Sequence, residues 1–286
     1  MNGWMVFTAL DGSLLDARTL SFEAARASFR RLIAAGIPVV PVTGKTFAEV
    51  RPLADVLGID GPLVIESGGG IARRVGSSWR LESCGAGTKA LREAIPIIEQ
   101  RSGARLRLYS AMRLDEAATA SGLTGMDLRR SLQRNFDEPF ALERGSLAAV
   151  EEAARSLGLS VRTGTRFHHL SGAARKGGAA AERVRDEIAA SAGAQPFVVA
   201  LGYAPIDVAF LSLADIPIIM PRRNGTPDPL LIAMLPEARI APAAGPEGWA
   251  KAIDEISDSL TTTDLRSMLP ESDERTKARR ARGPIS

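Results

Sequence analysis

Four side chains in this sequence could do chemistry together: Asp11, Thr43, Lys176 and Asp207. Each stands at the end of an apolar run or at the start of a helical one. Asp11 follows "WMVFTAL" and Thr43 follows "IPVVPV". Lys176 opens "KGGAAAERVRDEIAASAG", and Asp207 comes shortly after "FVVALG". On an open α/β sheet the ligand crevice lies at the carboxyl ends of parallel strands, so these four can share one pocket. A hydroxyl and an ammonium would hold a phosphate there, and carboxylates would move a proton or hold a hard cation.

The elements that must position them read as alternating strands and helices. "WMVFTAL" is a strand, and "SFEAARASFRRLIAAG" is a helix opened by Ser21 and closed by Gly36. Phe22, Ala25, Phe29, Leu32 and Ile33 form the buried stripe expected of that helix. "IPVVPVT" is a second strand. "KTFAEVRPLADVLG" is a helix with Thr46 and Glu49 at capping-box spacing and with Pro52 expected to bend it. "PLVIES" is a third strand, running into Gly68-Gly69-Gly70.

Such alternation with short connections predicts a doubly wound parallel sheet covered by helices on both faces. The pattern returns in "KGGAAAERVRDEIAASAG", "FVVALG" and "IPIIMP". In between, "GTKALREAIPIIEQ" and "LDEAATASGLTGMDLRRSLQRNF" mix helix with short strands, the texture of a second domain inserted into the first. The expected organisation is a core from residues 1–82 and 165–262, an inserted α/β cap from 83–164, and a polar, disordered, basic tail from 263–286.

Composition narrows the class. The 286 residues are 45% hydrophobic and 24% charged with a formal net charge of +3, a globular composition. The tail carries Arg266, Arg275, Lys277, Arg279, Arg280 and Arg282 against Asp264, Glu271, Asp273 and Glu274, so the remainder is nearly neutral. That argues against a nucleic-acid-binding body. The single Cys84 excludes an internal disulfide and, with no histidine or basic cluster beside it, reads as a packed residue. No signal peptide or membrane-spanning run is evident, so a cytoplasmic location without membrane partners is expected. The oligomeric state cannot be read.

In order, "ALDGSLLD", "VVPVTGKT", "KGGAAA" and "VVALGYAPID" resemble the four motifs of the haloacid dehalogenase superfamily. There they read Asp-x-Asp-Gly-Thr, a Ser or Thr after a buried strand, a Lys, and Gly-Asp-x-x-Asn-Asp. Within it the chain is similar to the mannosyl-3-phosphoglycerate phosphatase family. "IESGGGI" resembles the family's Glu-Asn-Gly-Gly-Ala-Ile turn, with Ser67 in place of Asn. Arg134 to Phe140 resembles its Arg-x-Phe-Asp-Glu-Pro-Phe, while "RFHHL" and "GPEGWAKAI" place Arg166, His169 and Trp249.

The resemblance implies phosphosugar phosphomonoester hydrolysis, Mg²⁺, and a small phosphorylated sugar or phosphoglycerate ligand. Asp11 takes the general-acid position, and Thr43 and Lys176 the phosphate-binding ones. Arg134, Asp137, Arg166 and His169 would contact substrate from the cap. Asp207 falls at a metal-ligand position or orients Lys176. Three departures stand against this. The family's nucleophilic aspartate falls at Ala9, its second metal-binding acid at Tyr203, and its motif-four asparagine at Ile206. An alanine methyl can neither attack phosphorus nor coordinate, and Mg²⁺ prefers several hard oxygen ligands. The expectation is a phosphatase relative with ordinary activity lost or strongly impaired, a pseudoenzyme in that sense. The alternatives are a non-catalytic phosphosugar-binding protein or a hydrolase with a rebuilt mechanism.

Overall fold

Trp4–Thr8 is a strand whose five side chains are all buried, as a central parallel strand covered on both faces requires. It pairs in parallel with Phe197–Gly202, Trp4 opposite Phe197 and Thr8 opposite Leu201. Phe197–Gly202 pairs in parallel with Ile216–Ile219, and that strand with Arg239–Ile240. Neighbours so distant in sequence require crossover connections, the mark of the doubly wound α/β class. The computed structural model describes residues 3–164, 166–172 and 178–262. Lys176 and the tail from residue 263 lie outside the described residues.

The described chain clusters into two units, one from the chain up to Pro38 and from Ala189 onward, the other from Val39–Ile188. In the first unit, a 3-10 turn at Glu23–Ala25 leads into the helix Arg26–Ala34. Phe22, Ala25, Phe29 and Leu32 are buried as expected, but Ile33 is 37% exposed. It sits at the edge of the apolar arc, where the helix turns from core to water. The C-terminal helix Gly245–Thr262 packs on this segment. Its Trp249 is wholly buried, lies 6.0 Å from the Phe29 ring, and donates its indole N–H to Thr8 Oγ1 at 3.0 Å.

The second unit begins with the strand Val39–Pro41 and the helix Phe47–Leu57. The capping box is made as its spacing predicts: Thr46 Oγ1 accepts from Glu49 N–H, Glu49 Oε2 accepts from Thr46 N–H, and Gly58 ends the helix at φ +70°. Leu63–Ile65, Gly70–Val75 and Ser78–Ser83 form an antiparallel sheet.

A four-stranded antiparallel sheet follows, in the order Arg105–Leu108, Asp137–Arg144, His168–Gly172, Leu159–Thr163. Alternation gives it two unlike faces. Leu106, Phe140, Leu159 and Leu170 point one way, into a core with Leu91, Ile95 and Ile98 of helix Thr88–Ser102 and Val150, Ala153 and Ala154 of helix Leu147–Ser156. Asp137, Pro139, His169, Ser171, Ser160 and Arg162 share the other face, since Asp137 and Ser160 stand opposite Ser171, and Pro139 and Arg162 opposite His169. The stretch read as helical before Phe136 is broken by Gly122 at φ +70° into Leu114–Ser121 and Gly125–Ser131. Among the described residues no helix is long and apolar enough to cross a membrane.

Candidate functional site

In the first unit the chain leaves Trp4–Thr8 and turns sharply. Gly12 N–H donates to the Leu15 carbonyl, Leu15 N–H to the Leu10 carbonyl, and Gly12 sits at φ +73°. Ala9 is buried at the strand end, its N–H bonded to the Leu201 carbonyl, while Asp11 is exposed. The ring of Tyr203 lies flat on Gly12: a Cβ at Gly12 would stand 2.6 to 2.7 Å from Cγ, Cδ1 and Cδ2 of the tyrosine. Glycine is therefore needed there twice over, for its backbone angle and for the ring above it.

Asp207 is buried, and its Oδ2 accepts the backbone N–H groups of Tyr203 at 2.8 Å and Ala204 at 2.9 Å. Burial pushes its pKa up to about 6, with the Asp11 carboxylate adding to the rise and the two N–H bonds opposing it. Gly202 lets this turn fold back, because a Cβ there would meet Asp207 Cβ and Leu211 Cδ1 at 2.8 Å. Asp207 thus holds a turn.

The donors around this turn are a poor match for Mg²⁺. The phenol ring covers Gly12, a methyl group stands at position 9, and one Asp207 oxygen is occupied by two N–H donors. Among the described residues no group of three His, Cys, Asp or Glu could hold a metal ion. Octahedral coordination by hard oxygens does not fit this donor set.

In the second unit Thr43 is buried just after Val39–Pro41. Its N–H is bonded to the Val64 carbonyl, and its hydroxyl oxygen accepts Lys45 N–H at 3.2 Å. Among the described residues the hydroxyl proton meets no acceptor, which leaves it to donate as a phosphate oxygen would need. The turn after Leu63–Ile65 places Glu66 at φ +48° and Ser67 at φ +54°. The left-handed region favours Gly and Asn, which accounts for asparagine at the Ser67 position in the resembling turn.

Glu66 is wholly buried, and its carboxylate accepts three consecutive backbone N–H groups: Asn135 at 3.0 Å, Phe136 at 2.7 Å and Asp137 at 3.0 Å. This clamp fixes the start of Asp137–Arg144. From there Asp137 binds Arg134 side-on through both oxygens and accepts the His169 Nδ1–H at 2.8 Å. Arg134 Nη2 also donates to the Gly44 carbonyl at 2.7 Å, next to Thr43.

Burial, then the Asp137 charge, pushes Glu66 up to about 7, although Arg134 and the N–H donors pull it down. Asp137 behaves oppositely: burial alone would raise it, but Arg134 and His169 hold it at about 2. Burial disfavours the Arg134 cation as well, and the Asp137 and Glu66 carboxylates keep its pKa above the usual arginine range.

Of the expected cap residues, Arg134, Asp137 and His169 therefore meet in one network. Arg166 is engaged elsewhere, donating to the Ser121 carbonyl at the end of Leu114–Ser121. Two residues outside the expected substrate-contacting set also matter. Glu66 was marked by the turn that resembles the family's Glu-Asn-Gly-Gly-Ala-Ile, but the N–H groups it clamps lie about seventy residues further on. Arg162 had no motif at all. Only the alternation of Ser160-Val161-Arg162 against the opposite strand puts it beside His169.

The model of the haloacid dehalogenase-like hydrolases matches residues 6–119. A haloacid dehalogenase-like hydrolase from Bacteroides thetaiotaomicron shares the fold with a TM-score of 0.60 at 16% identity, over 89% of this chain and 99% of that one. The α/β fold is therefore one that this hydrolase class also has. Two sequence relatives narrow it. The glucosyl-3-phosphoglycerate/mannosyl-3-phosphoglycerate phosphatase of Persephonella marina is 28% identical over 268 residues, covering 90% of this chain and 98% of its own. That of Methanococcoides burtonii is 30% identical over 270 residues, covering 88% and 96%. This chain belongs to their family.

Proposed function

We propose that this protein recognises a phosphorylated sugar acid of the glucosyl- or mannosyl-3-phosphoglycerate type and lacks the family's ordinary Mg²⁺-dependent phosphatase chemistry. The observation that carries the reading is the Tyr203 ring lying on Gly12, beside a strand end that presents Ala9. Hydrolysis through an aspartyl-phosphate needs a carboxylate at the strand end. A methyl group has replaced it, and an aromatic ring stands where the second metal-binding acid would be.

The recognition elements are better provided. Thr43, whose hydroxyl proton is uncommitted, and Lys176 take the phosphate, and Asp11 takes the general-acid position. Arg134, Asp137 and His169 form a buried charged network suited to sugar hydroxyls or a carboxylate. Arg166 belongs in that set by resemblance alone, since its guanidinium serves a helix end. The segment centred on the four-stranded sheet acts as the cap, and the ligand is a small molecule, not a nucleic acid or a membrane.

The test combines calorimetry with a phosphate-release assay on glucosyl- and mannosyl-3-phosphoglycerate, with and without Mg²⁺. Binding with little or no turnover is expected. Mg²⁺-dependent hydrolysis at the ordinary enzymatic rate of about 1 s⁻¹ or faster would refute the reading. Ala9→Asp alone should restore little, whereas Ala9→Asp with Tyr203→Asp and Ile206→Asn should gain metal binding and some hydrolysis.

A further inference from the structure

On the polar face of the four-stranded sheet, among the described residues, the charged side chains can be followed to their partners with one exception. Glu66 is filled by three N–H groups, Asp137 by Arg134 and His169, and Arg134 by Asp137 and Gly44. Ser160 and Ser171 face each other at 3.2 Å. Arg162 stands directly across from His169, yet its Nε is buried with no hydrogen-bond partner among the described residues. Burial pulls its pKa below the usual arginine range, and the Asp137 charge offsets this only in part.

A buried guanidinium donor without an acceptor is costly, and such groups are normally paired by protein, water or ligand. The protein's own carboxylate within electrostatic reach is already committed: Arg134 grips Asp137 side-on and His169 holds the same group. Beside Arg162, His169 has its Nδ1 engaged by Asp137, while its Nε2 edge faces Gly164. A Cβ at Gly164 would come 3.0 Å from that nitrogen, so glycine keeps the edge clear. The unpaired Arg162 Nε thus lies beside an open imidazole edge, with its acceptor missing among the described residues.

We propose that Arg162, on the open side of the sheet next to His169, takes the carboxylate of the ligand and so selects phosphorylated acids over the matching alcohols. This rests on the phosphosugar-acid reading above. In that reading the phosphate belongs to Thr43 and Lys176, which leaves the acid group as the ligand's second anion. The planar fork of an arginine matches a carboxylate in two parallel hydrogen bonds, the arrangement Arg134 already makes with Asp137. Ser160 and Ser171, two residues along on the same face, offer hydroxyls to the neighbouring part of the ligand.

The experiment compares 3-phosphoglycerate with glycerol 3-phosphate, which differs by a hydroxymethyl in place of the carboxylate, against the full-length protein by calorimetry. The unmodified protein should prefer the acid by roughly 10- to 100-fold, the range of a charge-assisted pair. Arg162→Gln should reduce that preference to about twofold or less by weakening the acid alone. Arg162→Lys, which keeps the charge and loses the fork, should fall between. Circular dichroism checks folding, and if the glutamine variant does not fold, the lysine variant decides.

An unchanged preference in a folded variant overturns the proposal. Binding of mannosyl-3-phosphoglycerate without any preference between the two small probes also overturns it, while leaving the phosphosugar-acid reading standing. Failure of all these ligands to bind removes both.

Discussion

Replacing Glu66 probes the clamp that holds the charged network, and its size can be worked out beforehand. Glu66→Ala strips the acceptor from the N–H groups of Asn135, Phe136 and Asp137 at once. Each orphaned buried donor costs about 1–3 kcal/mol, and partial rehydration makes their sum about 3–5 kcal/mol. Glu66→Gln keeps one oxygen for Phe136 and Asp137 but turns an NH₂ toward Asn135 N–H, a loss of about 1–2 kcal/mol under conditions where the glutamate is neutral.

The pH dependence is the sharper part. Burial and Asp137 raise Glu66 from 4.5 to about 7, so between those values the folded protein holds a proton that the unfolded chain has released. The stabilisation is complete below about pH 4.5 and disappears as pH rises through about 7, a change on the order of 3 kcal/mol. Glutamine has no such proton. Urea denaturation followed by circular dichroism from pH 5 to pH 8 should show the glutamine variant weaker at pH 5 and converging on, or overtaking, the unmodified protein by pH 8. Taking the difference cancels other titrating groups, Asp207 among them. Parallel profiles would refute the reasoning about burial. A loss under about 1 kcal/mol in Glu66→Ala would refute the clamp.

Asp207→Asn should cost less than about 1 kcal/mol in the same denaturation assay because an amide oxygen can still accept from Tyr203 and Ala204, whereas Asp207→Ala should cost about 2–4 kcal/mol. Gly12→Ala should cost about 2–4 kcal/mol through its left-handed backbone and the ring above it. Adding Tyr203→Ala should recover the steric part and leave about 1 kcal/mol of backbone strain, measured as a double-mutant cycle. Trp249→Phe removes the donor to Thr8 and leaves a small cavity, so the unfolding free energy from the same urea titration should fall by about 1–3 kcal/mol.

Local signals carried most of the fold. The buried run Trp4–Thr8 and the Thr46–Glu49 capping box depend on residues within one or two turns of each other, and they formed as their types demand. Ile33 went astray because periodicity defines the middle of a buried stripe better than its rim. The site was harder to read. Arg134 and Asp137 lie three apart in one motif, but their contact with His169 depends on strand register, as does the place of Arg162. No short-range pattern encodes a tyrosine ring seated on Gly12 nearly two hundred residues away, or a glutamate filled by backbone from another segment. Such pairings belong to tertiary closure, and only the resemblance to a family hinted at them.

The hairpin joining Leu159–Thr163 to His168–Gly172 is closed by Gly164 N–H on the Phe167 carbonyl, and it governs how the protein can evolve. Because the two faces of the sheet alternate residue by residue, positions such as Ser160, Arg162, His169 and Ser171 can be exchanged to suit a new ligand while Leu159, Val161 and Leu170 are left alone. Point substitution here can retune recognition at small cost to folding. Inserting or deleting one residue in the hairpin is different in kind: a slip by one would send Arg162 into the apolar core and Val161 onto the polar face. This loop should therefore tolerate changes of residue type and resist changes of length.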